Sequence, residues 1–310
     1  MVSMVHESVR GRTEELRKEF AEARPFRHVV MDEFLDGAFC RELMAEFPPF
    51  ESQYALNERG EPGRKAVVTA LKELGPAYAR FDGLMRDGAF LEWVGRITGI
   101  PKLLYDADYV GGGTHENLDG QELDWHVDFN FHPKRGTHRR LNLIVFLNER
   151  WEENWGGCLE LLREPTAVGA REQRTVVPVA NRAVLFETTE ASWHGFRRVQ
   201  LPADVHTSRR SIAVYFYTAA RPERETAPSH GTVYYQRPLP EHICAGHTLS
   251  DEDAREIEML VARRDEQIRF LYERELKFSR LIESLTGSPS FRVGRAVTWP
   301  VRRVRALLGK

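Results

Sequence analysis

The chain has 310 residues, 42% hydrophobic and 29% charged, the composition of an ordinary globular protein rather than a fibrous or disordered one. Its 44 basic and 46 acidic residues leave a formal net charge of −2, which argues against a chain that binds nucleic acid through charge. Cys40, Cys158 and Cys244 lie far apart with no C-x-x-C pair, so no disulfide framework is expected and a reducing compartment fits. The polar N-terminus has no apolar core of signal-peptide length, and no run is apolar enough to cross a bilayer, so a cytoplasmic protein is expected.

Residues 7–22 read as a charged, weakly amphipathic helix, followed by a short strand from His28 to Met31. A helix starts at Leu35-Asp36 and runs to about Glu46, with Phe39, Leu43 and Phe47 on one face. Residues 51–66 carry Gly60, Pro62 and Gly63 and read as a loop. Segments 68–74, 76–86 and 88–97 read as short helices broken at Gly75-Pro76 and Gly88. From Leu103 the pattern changes. Segments 103–110, 124–130, 140–147, 157–162, 175–179, 182–187, 194–199 and 209–219 are short, rich in β-branched and aromatic residues, and separated by turn residues. A mainly β fold with a helical N-terminal part follows, its strands forming a sandwich or barrel.

One domain is expected over 1–245, helical over 1–100 and β over 103–220. A long helix is expected over 249–285, opened by a capping-box-like Ser250 and Asp253. Its apolar residues, among them Ile257, Leu260, Val261, Ile268, Leu271, Phe278 and Leu285, recur at near-heptad spacing. That seam suits either packing on the domain or a coiled coil joining a homodimer. The tail 288–310 holds six Lys and Arg and no acid, with Val297, Trp299, Val301, Val304, Leu307 and Leu308 interleaved. Such a segment reads as a solvated or docking tail, or as a peripheral contact with the inner face of an anionic membrane.

The chemistry centres on Asp124-Trp125-His126-Val127-Asp128. In a strand, residues i and i+2 share a face, so His126 and Asp128 can bind one ion together. His194 lies downstream, after a strand at Val184-Leu185-Phe186. Two imidazoles and one carboxylate make a facial triad suited to Fe(II), with positions left open for a bidentate 2-oxo acid and O₂. The strand Arg209 to Tyr217 opens with a cation, and an arginine entering a buried strand needs an anionic partner. The distal carboxylate of 2-oxoglutarate would be one. A zinc hydrolase remains an alternative for the same ligands. A phosphate-binding loop and a serine hydrolase do not, because G-x-x-x-x-G-K-[ST] and G-x-S-x-G are absent.

The order H-x-D, G-G-x-L, H, R-x-S resembles the prolyl-4-hydroxylase-like group of Fe(II)/2-oxoglutarate-dependent dioxygenases over roughly residues 25–220, with Pro25-Phe26 and Asp32-Glu33-Phe34-Leu35 at its start. The resemblance implies a double-stranded β-helix, or jelly roll. It implies iron ligation by His126, Asp128 and His194, with 2-oxoglutarate and O₂ as cosubstrates and ascorbate as an auxiliary reductant. It assigns Arg209 to the far carboxylate, with Arg210 as the alternate because only one of the pair faces inward. The gap from His194 to Arg209 is longer than the family pattern, which an inserted loop at Leu201-Pro202-Ala203-Asp204 would explain. Ser211, on the Arg209 face, would add a hydrogen bond. Tyr109 would line the cosubstrate pocket. Asn142, Ile144 and Phe146 would line it from the next strand, Asn142 supplying the polar contact that Phe146 lacks where relatives often have tyrosine.

The Gly-rich stretch 110–124 is expected to be a lid, and 129–140, ending Arg139-Arg140, a second substrate wall. His115, His132 and His138 read as solvated or substrate-side residues. The expected activity is hydroxylation of a C–H bond in a peptidyl (prolyl in the family default) or small-molecule substrate. The competing readings are a non-catalytic jelly-roll module for binding or oligomerisation, and a metal-dependent hydrolase.

Overall fold

Short amphipathic helices build the N-terminal part. Helix α1 (Glu7–Gly11) and α2 (Thr13–Glu22) replace the single helix expected over 7–22, the break falling at Arg12. Leu16 and Phe20, four apart on α2, are buried, and α2 packs on α5 with the Trp93 indole N–H donating to Thr13 Oγ1 at 2.9 Å. Strand β1 (His28–Met31) is followed by α3 (Gly37–Ala45), whose first turn is capped by Asp36 accepting from the N–H groups of Ala38 and Phe39. Then come β2 (Lys65–Val68), α4 (Pro76–Met85) and α5 (Gly88–Thr98). The computed structural model describes residues 2–55, 65–166, 172–236, 238–240 and 242–307; most of the loop expected over 51–66 lies outside them. The helix expected over 68–74 is instead the end of β2 and a single 3₁₀ turn, Leu71–Glu73.

The strands that follow are β3 (Leu104–Tyr105), β4 (Gly113–Asn117), β5 (Leu123–Val127), β6 (His138–Phe146), β7 (Leu159–Leu162), β8 (Gln173–Val176), β9 (Ala183–Glu187), β10 (Trp193–Phe196), β11 (Arg209–Thr218) and β12 (Val233–Tyr235). They form two antiparallel sheets. The larger has the order β1-β9-β6-β11-β4-β2, with β3 also on β11; the smaller is β12-β5-β10-β7-β8. This is a jelly roll. Leu141, Leu143, Val145, Ile212, Val214 and Phe216 turn outward from the larger sheet and share a core with the N-terminal helices. Phe146, Phe186 and Val184 turn inward and meet Leu159, Leu161 and Val176 of the smaller sheet.

Three expectations change. The stretch 110–124 is no free lid, because its centre is β4, paired to β11 on one side and β2 on the other. Its glycines serve close approach: at Gly113, with φ +103°, a Cβ would lie 2.1 Å from the Val68 carbonyl oxygen. The strand expected over 103–110 shrinks to two residues, and Tyr109 sits beyond it with φ +46°. Strand β12 was not anticipated.

The chain divides into two compact units, 1–235 and 236–310, so the first ends before the expected 245. The second unit holds α6 (Asp251–Gly287) and α7 (Pro289–Leu307), with the expected Ser250–Asp253 capping box formed. Ile268, Leu271, Tyr272, Leu276, Leu281 and Leu285 of α6 are exposed. No helix among the described residues is long and apolar enough to cross a membrane.

Candidate metal centre

Strands β5 and β10 of the smaller sheet pair with His126 opposite His194, which brings the two rings to 4.3 Å between centroids. The approach depends on Gly195, where a Cβ would lie 2.5 Å from the Leu123 carbonyl oxygen. Asp128 follows at the end of β5, its carboxylate 3.7 Å from His126 Nε2 and 3.4 Å from His194 Nε2. Each imidazole has Nδ1 against a backbone carbonyl, of Asp124 at 2.9 Å for His126 and of Ser192 at 3.0 Å for His194. A carbonyl can only accept, so Nδ1 carries the proton and the lone pair of each ring is on Nε2, the atom a metal would use. Burial outweighs the nearby Asp128 charge at His194 and lowers its pKa, which keeps it neutral at neutral pH. Burial alone would raise the pKa of Asp128, but Arg139, His194, His126 and the Asn142 hydrogen bond hold its carboxyl well below the usual carboxylate range. The donor atoms lie within 4.8 Å of one another.

Arg209 opens β11 with its side chain buried inside the roll. Its Nε donates to the Gly157 carbonyl at 2.5 Å, and its guanidinium lies over Phe196 at 4.2 Å and Phe146 at 5.2 Å. Among the described residues no carboxylate is within ion-pairing distance of it, and burial lowers its pKa to about 10, so it stays charged. Arg210 takes the other side of the strand and pairs with Glu116 at 3.1 Å. Ser211, buried, shares the Arg209 side, as the two-residue period requires.

Two expected pocket residues act elsewhere. Tyr109 belongs to the core shared with the helices, on the outer side of the sheet, and its hydroxyl donates to Asp82 of α4 at 3.1 Å. Asn142 faces inward as expected, but its amide joins Asp128 to Arg139 rather than standing ready for a cosubstrate. His132 is not solvated: it is 1% exposed, accepts from two backbone N–H groups through Nδ1 and donates through Nε2 to Asp106.

Sequence alternation also missed Arg139 as a site residue. Alternation on β6 would send it outward with Leu141 and Leu143. The pairing of β6 with β11 slips between Phe216–Leu141 and Tyr217–Arg139, leaving Arg140 as the extra residue. This β-bulge turns Arg139 inward, onto Asp128.

Residues 113–217, from β4 through β11, match the model of the 2OG-Fe(II) oxygenase superfamily. The match includes all three ligands and Arg209. This segment is a 2OG-Fe(II) oxygenase domain. No curated protein matches the chain. Solved structures similar to it include a Trichoplax adhaerens prolyl hydroxylase in complex with a hypoxia-inducible-factor oxygen degradation domain peptide, at 12% identity and TM-score 0.48 over 70% of this chain and 96% of that one. A Phytophthora capsici prolyl 4-hydroxylase matches at 17% identity and TM-score 0.48, covering 83% and 74%. HygX from Streptomyces hygroscopicus, with nickel and 2-oxoglutarate bound, matches at 14% identity and TM-score 0.41, covering 62% and 82%.

The side chains of this oxygenase domain fit the family's iron and 2-oxoglutarate. The ligand set is two imidazoles whose Nδ1 atoms are held by backbone carbonyls and one ionised carboxylate. The buried, carboxylate-free guanidinium of Arg209 fits the second carboxylate of the 2-oxo acid. Among the described residues, two other His and Asp groupings are closed by their own hydrogen bonds. Asp106 holds His132, and Asp253 holds His242 at 2.7 Å and His247 at 2.9 Å.

Proposed function

We propose that the chain is an Fe(II)- and 2-oxoglutarate-dependent hydroxylase that acts on an aliphatic C–H bond of a peptidyl or small-molecule substrate, a prolyl ring being one such substrate. The observation that carries this reading is Arg209. A guanidinium buried without a carboxylate destabilises the empty fold, and it is retained inside the roll that also holds the three ligands. That buried cation is accounted for by a carboxylate-bearing cosubstrate and not by water attack at a metal alone, and the complete ligand set argues against a non-catalytic module.

When bound, iron and 2-oxoglutarate supply O₂ activation coupled to decarboxylation of the 2-oxo acid to succinate and CO₂. The chain's own residues position and shield. His126, Asp128 and His194 would supply three donors to the iron, a ligand set that leaves coordination positions for the cosubstrate. Arg209 would fix the far end of the 2-oxo acid, and the rings of Phe146 and Phe196 fix Arg209. Tyr234 lies 5.3 Å from the His126 ring, and Phe129 follows Asp128 directly. These aromatic walls beside the ligands support a substrate whose reacting carbon is apolar.

The test is an anaerobic titration of the apoprotein with Fe(II) and then 2-oxoglutarate, followed by visible absorption. A weak charge-transfer band from the chelated 2-oxo acid is expected, and it is absent in His126→Ala. A folded, iron-loaded wild type without the band would exclude the cosubstrate.

A further inference from the structure

Asp128 has two oxygens in different situations. Oδ2 accepts from Arg139 Nη2 at 3.0 Å and from Asn142 Nδ2 at 2.8 Å. Oδ1 receives neither donor and faces His126 Nε2 at 3.7 Å, while Oδ2 also lies 3.4 Å from His194 Nε2. The amide orientation of Asn142 is fixed by the same arginine, whose Nε and Nη2 both donate to Asn142 Oδ1 at 3.0 and 2.8 Å. Arg139, Asn142 and Asp128 thus close a three-membered ring of hydrogen bonds. The guanidinium carbon lies 3.4 Å from the Tyr215 ring centroid and 4.5 Å from that of Phe129, and Arg139 is 1% exposed. The bulge at Arg140 aims it there, against the alternation of its strand.

We infer that Arg139 is a positioning residue for the cosubstrate step: it keeps Asp128 a one-oxygen ligand and keeps the loaded site cationic enough to accept a dianionic 2-oxo acid. With Oδ2 committed to two donors, Oδ1 would be the oxygen offered to a metal, and the carboxylate would be kept from swinging to take a second position that the 2-oxo acid needs. The guanidinium also offsets the ligand carboxylate. Fe(II) with Asp128 and Arg139 would keep two net positive charges near the chelating end of 2-oxoglutarate, and Arg209 adds a third at its far carboxylate, so the dianion is offset in a site shielded from water. The same positive charge does not favour the bare metal ion. Arg139 is accordingly expected to act on the 2-oxo acid rather than on iron. A residue that merely held the fold together would act on both alike.

This inference rests on the oxygenase reading, and the two fail differently. A wild type that binds iron without a 2-oxoglutarate band sinks the reading itself. Where the wild type gives the band, the inference is tested in Arg139→Met by separate titrations of Fe(II) and of 2-oxoglutarate onto the iron-loaded protein. Fe(II) affinity is expected to match or exceed the wild type, while the dissociation constant for 2-oxoglutarate rises at least ten-fold and the charge-transfer band moves in energy. Arg139→Lys, which keeps the charge but loses the fork, is expected to recover part of the 2-oxoglutarate affinity. Loss of both ligands together, or unchanged 2-oxoglutarate binding and band position in Arg139→Met, overturns the inference. If Arg139→Met fails to fold, Arg139→Lys decides: intact iron binding with a shifted band and weaker 2-oxoglutarate binding supports it, and any other result overturns it.

Discussion

Neighbouring arginines at the start of β11 divide two tasks by strand geometry alone. Arg209 points into the roll without a carboxylate, and Arg210 points out to Glu116, which also accepts from Ser208. Removing a buried unpaired charge relieves the empty fold, whereas removing the partner of a buried carboxylate strains it. Arg209→Met is therefore expected to unfold no more easily than the wild type while binding 2-oxoglutarate about 100-fold more weakly, as befits a lost charged hydrogen-bond pair of about 3 kcal/mol. Arg210→Met should show the reverse: unchanged 2-oxoglutarate binding and a loss of about 1–3 kcal/mol in urea unfolding. Equal effects of the two on 2-oxoglutarate would remove Arg209 from its assigned role. From sequence the pair was an open choice, because alternation shows that one faces in without saying which. The clustering of His126, Asp128 and His194 was legible because His-x-Asp in a strand and a later histidine need only the two-residue period. Asn142 was legible in direction and not in partner, since its partner is brought by a bulge that no local pattern announces.

At the level of elements, the legible strands were those with β-branched and aromatic residues, such as β6, β9 and β11. Strand β4, Gly-Thr-His-Glu-Asn, reads as a loop by composition, and it becomes a strand only because β2 and β11 supply partners on both sides. Tyr109 reads as strand by residue type and is turned out of it by a left-handed backbone after a two-residue β3. The pairing of β10 with β5 rests on a different local device. Gly195 has ordinary backbone angles, so it is needed for space rather than conformation: a side chain there meets the carbonyls of Leu123 and Asp124 at 2.5 and 2.9 Å. Backbone cannot retreat as a flexible side chain can, so Gly195→Ala should push the strands apart, costing about 1–3 kcal/mol of stability. Because His194 immediately precedes it, the same change should weaken Fe(II) binding more than 2-oxoglutarate binding to the loaded form, the opposite split from Arg139→Met. A thermal melt and an iron titration equal to wild type would show that the sheet absorbs the methyl group.

For the whole molecule, every metal ligand, Arg209, Arg139 and both sheets fall within residues 1–235, which have their own cores on both faces of the larger sheet. Helices α6 and α7 contribute none of these residues. A chain cut after Tyr235 is therefore expected to fold and to bind Fe(II) and 2-oxoglutarate with wild-type affinity. Loss of the charge-transfer band in a soluble truncated protein would show that the second unit completes the site. The same two proteins test what the second unit is for. A 37-residue helix is long for a single globular element, and α6 leaves Ile268, Leu271, Phe278, Ile282 and Leu285 exposed. Such a row in water favours association, and near-heptad spacing is the pattern two copies can share. Sedimentation at increasing concentration should then show the full chain passing from monomer to dimer while residues 1–235 stay monomeric. Identical behaviour of the two would remove the coiled-coil reading and leave the apolar row of α6 to another partner.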